Sequence, residues 1–141
     1  MNQYCKLVFL SLFISLIFIE SCTTEDTIDP TDSRDAYIGT WSCAENSSLS
    51  GASTYDVRIR KDVSNSNQLL VDNFYLLGYS YSAVLSKSSS TLSLPSQSLS
   101  GNTIKGNGSI VSDIKINLSY TVDDGSGSAG IDNCSAVLTK K

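Results

Sequence analysis

The stretch "DIKINLSYTV", residues 113 to 122, alternates apolar and polar residues at every step. Ile114, Ile116, Leu118, Tyr120 and Val122 fall on one side, with Asp113, Lys115, Asn117, Ser119 and Thr121 on the other. A period of two suits a half-buried β-strand and cannot serve a helix, whose repeat is about 3.6 residues. "YDVRIR" repeats the pattern, placing Tyr55, Val57 and Ile59 opposite Asp56, Arg58 and Arg60. Further segments rich in β-branched and aromatic residues are "YIGTWSC", "QLLVDNFYL", "YSYSAVLS", "TLSL", "TIKGNGSIV" and "DNCSAVLTK". Together they predict about eight strands. The stretches between them, such as "DVSNSN", "KSSS" and "VSD", are short and rich in Ser, Asn and Asp. None has room for a crossover helix of about a dozen residues, so neighbouring strands are expected to pair antiparallel, as an up-and-down meander. Serines at alternate strand positions read as a solvated outer face.

The chain begins differently. After Lys6, thirteen residues from Leu7 to Ile19 are apolar except for Ser11 and Ser15. A spanning helix needs about twenty, whereas a secretory signal core needs about 7 to 15 followed by a small residue. Ile19, Ser21 and Cys22 make the segment resemble a bacterial lipoprotein signal, which implies cleavage after residue 21 and acylation of Cys22. Glu20 departs from that pattern, and an ordinary signal peptide or an uncleaved anchor is the alternative. Residues 22 to 35 hold Glu25, Asp26, Asp29, Asp32 and Asp35 against Arg34, and no apolar period. They read as an acidic, disordered tether. Acidic residues just after a lipidated cysteine resemble the export signal of surface lipoproteins of the Bacteroidetes group, which implies an outer-membrane, surface-exposed location. "DTI" at 26 to 28 resembles that group's O-glycosylation acceptor.

One β-domain, residues 36 to 141, remains. Its acidic and basic residues balance, so the net charge of −4 belongs to the tether. With no basic stripe, nothing supports nucleic-acid binding. Cys43 lies at the end of the first strand and Cys134 in the last, in a domain expected to meet an oxidising environment. In a flat open meander those strands would lie about 33 Å apart, at about 4.8 Å per spacing, while a disulfide needs Cα atoms within about 7 Å. A Cys43–Cys134 bond would therefore require the sheet to close into a barrel or fold into two facing layers. Two reduced, buried thiols are the alternative.

"YIGTWSC" resembles the opening strand of calycins, the lipocalin, fatty-acid-binding and avidin-like barrels, where Gly and Trp recur one residue apart. The resemblance implies an eight-stranded barrel in which Gly39 permits close backbone approach and Trp41 plugs one end. The chain is also similar to short Bacteroidetes lipoproteins with a "GTW" start, a first-strand cysteine, a middle "NF" and a cysteine near the end, here Cys43, Asn73, Phe74 and Cys134. The later Thr-Asp-Tyr and C-terminal Arg signatures of lipocalins are missing. A barrel this small can be filled by its own side chains, with Trp41, Tyr55, Ile59, Ile116, Leu118, Tyr120 and Leu138 as the fillers.

The sequence contains no histidine, which excludes Ser-His and Cys-His nucleophilic pairs. "GNGS" lacks the Lys-Ser or Lys-Thr of a phosphate loop. "DDGSGSAGID" offers Asp123, Asp124 and Asp132 as calcium ligands, but their spacing is that of a long hairpin rather than a calcium loop. No enzyme activity, metal or cofactor is expected. "QLLVDNFYLLGYSYSAVL" carries bulk on both registers, so either its own loops cover it or Phe74, Tyr79 and Tyr81 form an exposed contact patch for a protein or glycan. Two functions follow: a non-catalytic surface binding module, monomeric and held to the membrane by its lipid, or a calycin-like carrier of a small apolar ligand.

Overall fold

The structure is a computed structural model that describes residues 32–127 and 130–141. The signal segment, Cys22, the "DTI" site and most of the acidic tether lie outside the described residues. Eight strands follow in order: β1 (Gly39–Ser47), β2 (Gly51–Lys61), β3 (Gln68–Asp72), β4 (Ser82–Ser88), β5 (Thr91–Leu99), β6 (Asn102–Ser112), β7 (Lys115–Asp123) and β8 (Asp132–Lys140). Each pairs antiparallel with the next, and β8 returns to pair with β1. The fold is all-β, an up-and-down meander closed into a barrel. Every predicted strand is present, with shifted ends. β7 starts at Lys115, so Ile114 sits exposed in the turn before it instead of joining the inner face. β3 stops at Asp72, and a 3-10 turn at Phe74–Leu76 replaces the rest of the predicted strand.

Alternation decides what faces inward. On β8, Asp132, Cys134, Ala136 and Leu138 are buried while the residues between them are exposed. The same register on the other strands gathers Trp41, Val57, Ile59, Leu69, Val71, Ala83, Leu85, Leu92, Ile104, Ile116 and Leu118 into one apolar core. Tyr55, one of the expected fillers, packs against that core half-buried.

Closing so small a sheet demands sharp curvature, and glycines supply it on β6. A Cβ on Gly106 would lie 2.3 Å from the Ser119 carbonyl oxygen, and one on Gly108 would lie 2.5 Å from that of Asn117. Backbones this close admit no side chain between them. The β4–β5 seam is sealed by another device. Its backbone pairing covers only Ser86–Ser88 against Thr91–Ser93. Beyond it β5 bulges between Leu94 and Gln97, and the Gln97 amide takes the place of a neighbouring peptide, accepting from Val84 N at 2.8 Å and donating to Val84 O at 3.0 Å. Pro95, which has no N–H to give a ladder, falls inside that bulge.

The up-and-down order sorts the connections to two ends. At one end lie the first described residues, the 61–68 and 112–115 connections and the C-terminus; at the other lie the 47–51, 73–81 and 123–132 connections. At the first end Trp41 has no exposed surface, and its indole N–H donates to Tyr37 O at 2.9 Å. Gly39, two residues earlier, holds a φ of +132°. Arg34 is buried beside them. Its Nη1 donates to the carbonyls of Asp62, Asn65 and Gln68, each at 2.9 Å, while Nε and Nη2 grip Asp32. The bond from Arg34 holds the Asp32 carboxyl well below the usual carboxylate range. Lys61 adds ion pairs to Asp32 and Asp35. Residues 32–35, read from the sequence as the end of the tether, are thus held against the barrel, because Arg34 caps the 61–68 connection.

Candidate functional site

The interior divides by polarity. Toward the end that carries the 47–51, 73–81 and 123–132 connections, the inward register of β1 continues from Trp41 and Cys43 to Glu45 and Ser47. Glu45 is buried, and its Oε2 accepts the phenol protons of Tyr55, at 2.6 Å, and Tyr120. A second buried carboxylate, Asp132, opens β8. Its Oδ2 accepts from Ser47 Oγ at 2.6 Å and from the Tyr75 phenol at 2.7 Å, and its Oδ1 accepts from Ser48 Oγ at 3.0 Å and Leu49 N at 3.2 Å. Phe74 rests on the Tyr120 ring with centroids 4.7 Å apart. Among the described residues no buried side-chain polar atom lacks a partner.

The electrostatics keep protons on the donors. Burial pushes the Tyr55, Tyr75 and Tyr120 phenols well above their ordinary range, and neighbouring anionic groups push them further. Burial likewise raises the Cys43 thiol to about 11 and the Cys134 thiol to about 12, with Glu45 and Asp132 adding to the effect. At neutral pH both are thiols rather than thiolates. For Asp132, burial alone would favour the neutral acid. The donors from Ser47, Tyr75, Ser48 and Cys134 outweigh it and hold the carboxyl well below its usual range. The site is thus a pair of buried carboxylates solvated by hydroxyls, beside aromatic rings.

Several sequence-predicted residues sit elsewhere than expected. Cys43 and Cys134 are free. They lie on adjacent strands, but Cys43 is opposite Leu138 and Cys134 is opposite Ser47. That offset of four residues is about 13 Å at about 3.3 Å per residue, which overturns the expected disulfide. Closure rests on the β1–β8 ladder instead. Phe74 is a core residue, 3% exposed, and leaves the proposed outer patch because the 3-10 turn directs it onto Tyr120. Tyr79 and Tyr81 are exposed. Asp132 points into the barrel, while Asp123 and Asp124 on the outside accept backbone N–H bonds from Gly125 and Ser126. The three aspartates are therefore not brought together. The Glu45 and Asp132 network is absent from the sequence-based expectations, although a signal for it exists. Glu45 shares a register with Trp41 and Cys43, and Asp132 shares one with Cys134 and Leu138, so a period of two already places both carboxylates inside.

Around this end the connections expose Leu49, Leu76, Tyr79, Tyr81 and Ile131, each between 41% and 57%. The first two and Ile131 adjoin groups that converge on Asp132: Leu49 through its own N–H, Leu76 through Tyr75, and Ile131 as the preceding residue. Tyr79 lies along the outer wall, donating to Asp56 O at 3.3 Å beneath Arg58. On the wall beside Gly106, an open groove of about 450 Å³ is lined by Lys105, Asn107, Ser119, Thr121 and Asn133 and also by Leu94, Tyr120 and Cys134.

No protein-family model and no curated protein matches this sequence. Solved structures do resemble it. That of EF1p2_mFAP2b bound to DFHBI superposes with a TM-score of 0.51 at 10% identity, covering 75% of this chain and 94% of that one. A redesigned beta barrel superposes with a TM-score of 0.53 at 11% identity, covering 75% and 92%. At such identities the likeness is one of fold, and it places this chain among small antiparallel β-barrels.

Proposed function

We propose that this chain is an exported, lipid-anchored β-barrel of the kind found among Bacteroidetes surface lipoproteins, and that it acts as a non-catalytic binding module at the outer-membrane surface. The observation that carries this reading is the asymmetry of the barrel ends. The described chain starts at Asp32 on one end, while Leu49, Leu76, Tyr79, Tyr81 and Ile131 are exposed around the other. In a barrel anchored through an acylated Cys22, that apolar rim is at the end away from the point where the described chain starts. Exposed aromatics among polar neighbours suit a sugar ring or a partner protein's side chain. Fatty-acid-analogue labelling tests the anchor: it should follow Cys22 and vanish in Cys22→Ser. For the rim, a Leu76→Ser, Tyr79→Ser, Tyr81→Ser triple variant should keep its melting temperature and lose binding to surface glycans or proteins. Labelling that persists without Cys22, or binding that survives the triple change, would sink the corresponding half.

A second reading, carriage of a small ligand inside the barrel, draws on the polar network at that same end and on the bound DFHBI of one similar barrel.

A further inference from the structure

The 73–81 connection does what a loop between two strands has no need to do: it sends two aromatic rings back into the barrel. Phe74 covers the face of Tyr120, and Tyr75 reaches Asp132 with its phenol. The backbone is bent hard to achieve this. Asn73, Tyr75 and Leu76 all adopt left-handed conformations, with φ of 61°, 54° and 57°. Asn73 is suited to that region, and its side chain bonds Asp56 O at 2.7 Å and Gly78 N at 2.9 Å. Tyr75 and Leu76 have no such local compensation, and strain of this kind concentrates at ligand clamps and switch regions. Asn73 and Gly78, the latter with a φ of +93°, bracket the segment.

We infer that residues 73–78 form a built-in plug in a ligand seat, and that the seat takes a small, neutral, planar aromatic carrying one hydroxyl. The plug itself supplies the template. With its rings withdrawn, Asp132 Oδ2 loses the Tyr75 phenol and keeps Ser47, and the Tyr120 ring loses its cover. A ligand hydroxyl would replace the Tyr75 phenol on Asp132, and the ligand's ring would replace Phe74 on Tyr120. Glu45 and Asp132 together repel a carboxylate, which separates this ligand class from fatty acids. Opening relieves the left-handed backbone at Tyr75 and Leu76, which offsets part of the penalty for withdrawing the two rings. The inference deepens the carrier reading and rests on it, not on the outer rim.

The test is titration of the wild-type domain with 2-naphthol, alongside naphthalene and 2-naphthoate, followed by the probes' own fluorescence and by backbone amide NMR. Saturable binding of 2-naphthol is expected, with amide shifts centred on residues 73–78 and 132, and with naphthalene and 2-naphthoate at least about tenfold weaker. Tyr75→Phe removes the competing phenol while keeping the ring, so it should bind 2-naphthol about tenfold more tightly. Equal binding of naphthalene or 2-naphthoate at those residues would overturn the hydroxyl class and leave the carrier reading standing. Absence of saturable binding of all three by both folded proteins would overturn the plug and its seat, and would leave carriage of ligands of other classes standing.

Discussion

Replacing Asp72 by Asn probes an ion cluster on the outer wall. The Asp72 carboxylate has no exposed surface, yet it accepts from Arg58 Nε at 2.8 Å, from Arg60 Nε and Nη2 at 2.8 Å each, and from Ser82 Oγ at 2.6 Å. Burial alone would raise its pKa. The donors of Arg60, Ser82 and Arg58 outweigh burial and hold the carboxyl at about 2, against an ordinary 3.8. Because the folded value lies below the unfolded one, the group's contribution is complete above about pH 4 to 5 and is lost as pH falls through about 2. At about 1.4 kcal/mol for each tenfold change in the protonation equilibrium, that contribution is about 2 kcal/mol at neutral pH. Most of it has gone by pH 2. Asn also turns an N–H₂ toward two guanidinium groups, a cost that does not depend on pH. The diagnostic quantity is therefore the change in the stability gap between wild type and Asp72→Asn. Urea melts followed by Trp41 fluorescence at pH 7 and at pH 2 measure it, and the gap should narrow by about 2 kcal/mol on acidification. A gap of constant size across that range would refute the account, since other titrating groups are common to both proteins and cancel.

Other outcomes follow from packing. Phe74→Ala should destabilise the barrel by about 3 to 5 kcal/mol, whereas Tyr81→Ser should stay within about 0.5 kcal/mol of wild type; thermal melts of the two single variants decide whether the 73–81 connection has been divided correctly between core and rim. Gly106→Ala should prevent native closure or cost several kcal/mol, because the new Cβ meets the Ser119 carbonyl oxygen. Its readout is loss of near-ultraviolet circular dichroism, and a wild-type spectrum would contradict the close approach of β6 and β7. Peptide mapping without reductant should recover Cys43 and Cys134 unlinked, and both should react with iodoacetamide far faster after unfolding than before, since burial keeps them protonated.

The barrel is legible in the sequence because each strand carries its own period of two, a signal that needs no knowledge of partners. Its closure is legible too, but the cysteines are the wrong reason for it. They suggest a bond across the first and last strands, yet register along a strand is set by the pairing of whole ladders, and the β1–β8 ladder offsets them by four residues. Phe74 misleads for a related reason. Alternation continued through "DNFYL" implies a strand, whereas Asn73 in the left-handed region ends it and turns Phe74 inward. Arg34 reads as tether because its partners are carbonyls some thirty residues away, which composition cannot reveal. Glu45 and Asp132 occupy apolar register positions, and the hydroxyls that admit them there, from Tyr55, Tyr120, Ser47 and Tyr75, are mostly far from them in sequence.

The seam between β1 and β8 also governs the order in which the molecule can form. It joins Trp41 to Lys140, and Ser47 to Cys134, so the first strand waits for the last. A nascent chain that has delivered seven strands still presents two unpaired edges and an uncovered apolar face. Neither can be resolved locally, because loop closure across the whole domain must precede the contacts that reward it. The closed barrel is therefore reached only once β8 has been delivered. Until β8 docks on β1, the chain offers its open edges to chaperones or to other copies.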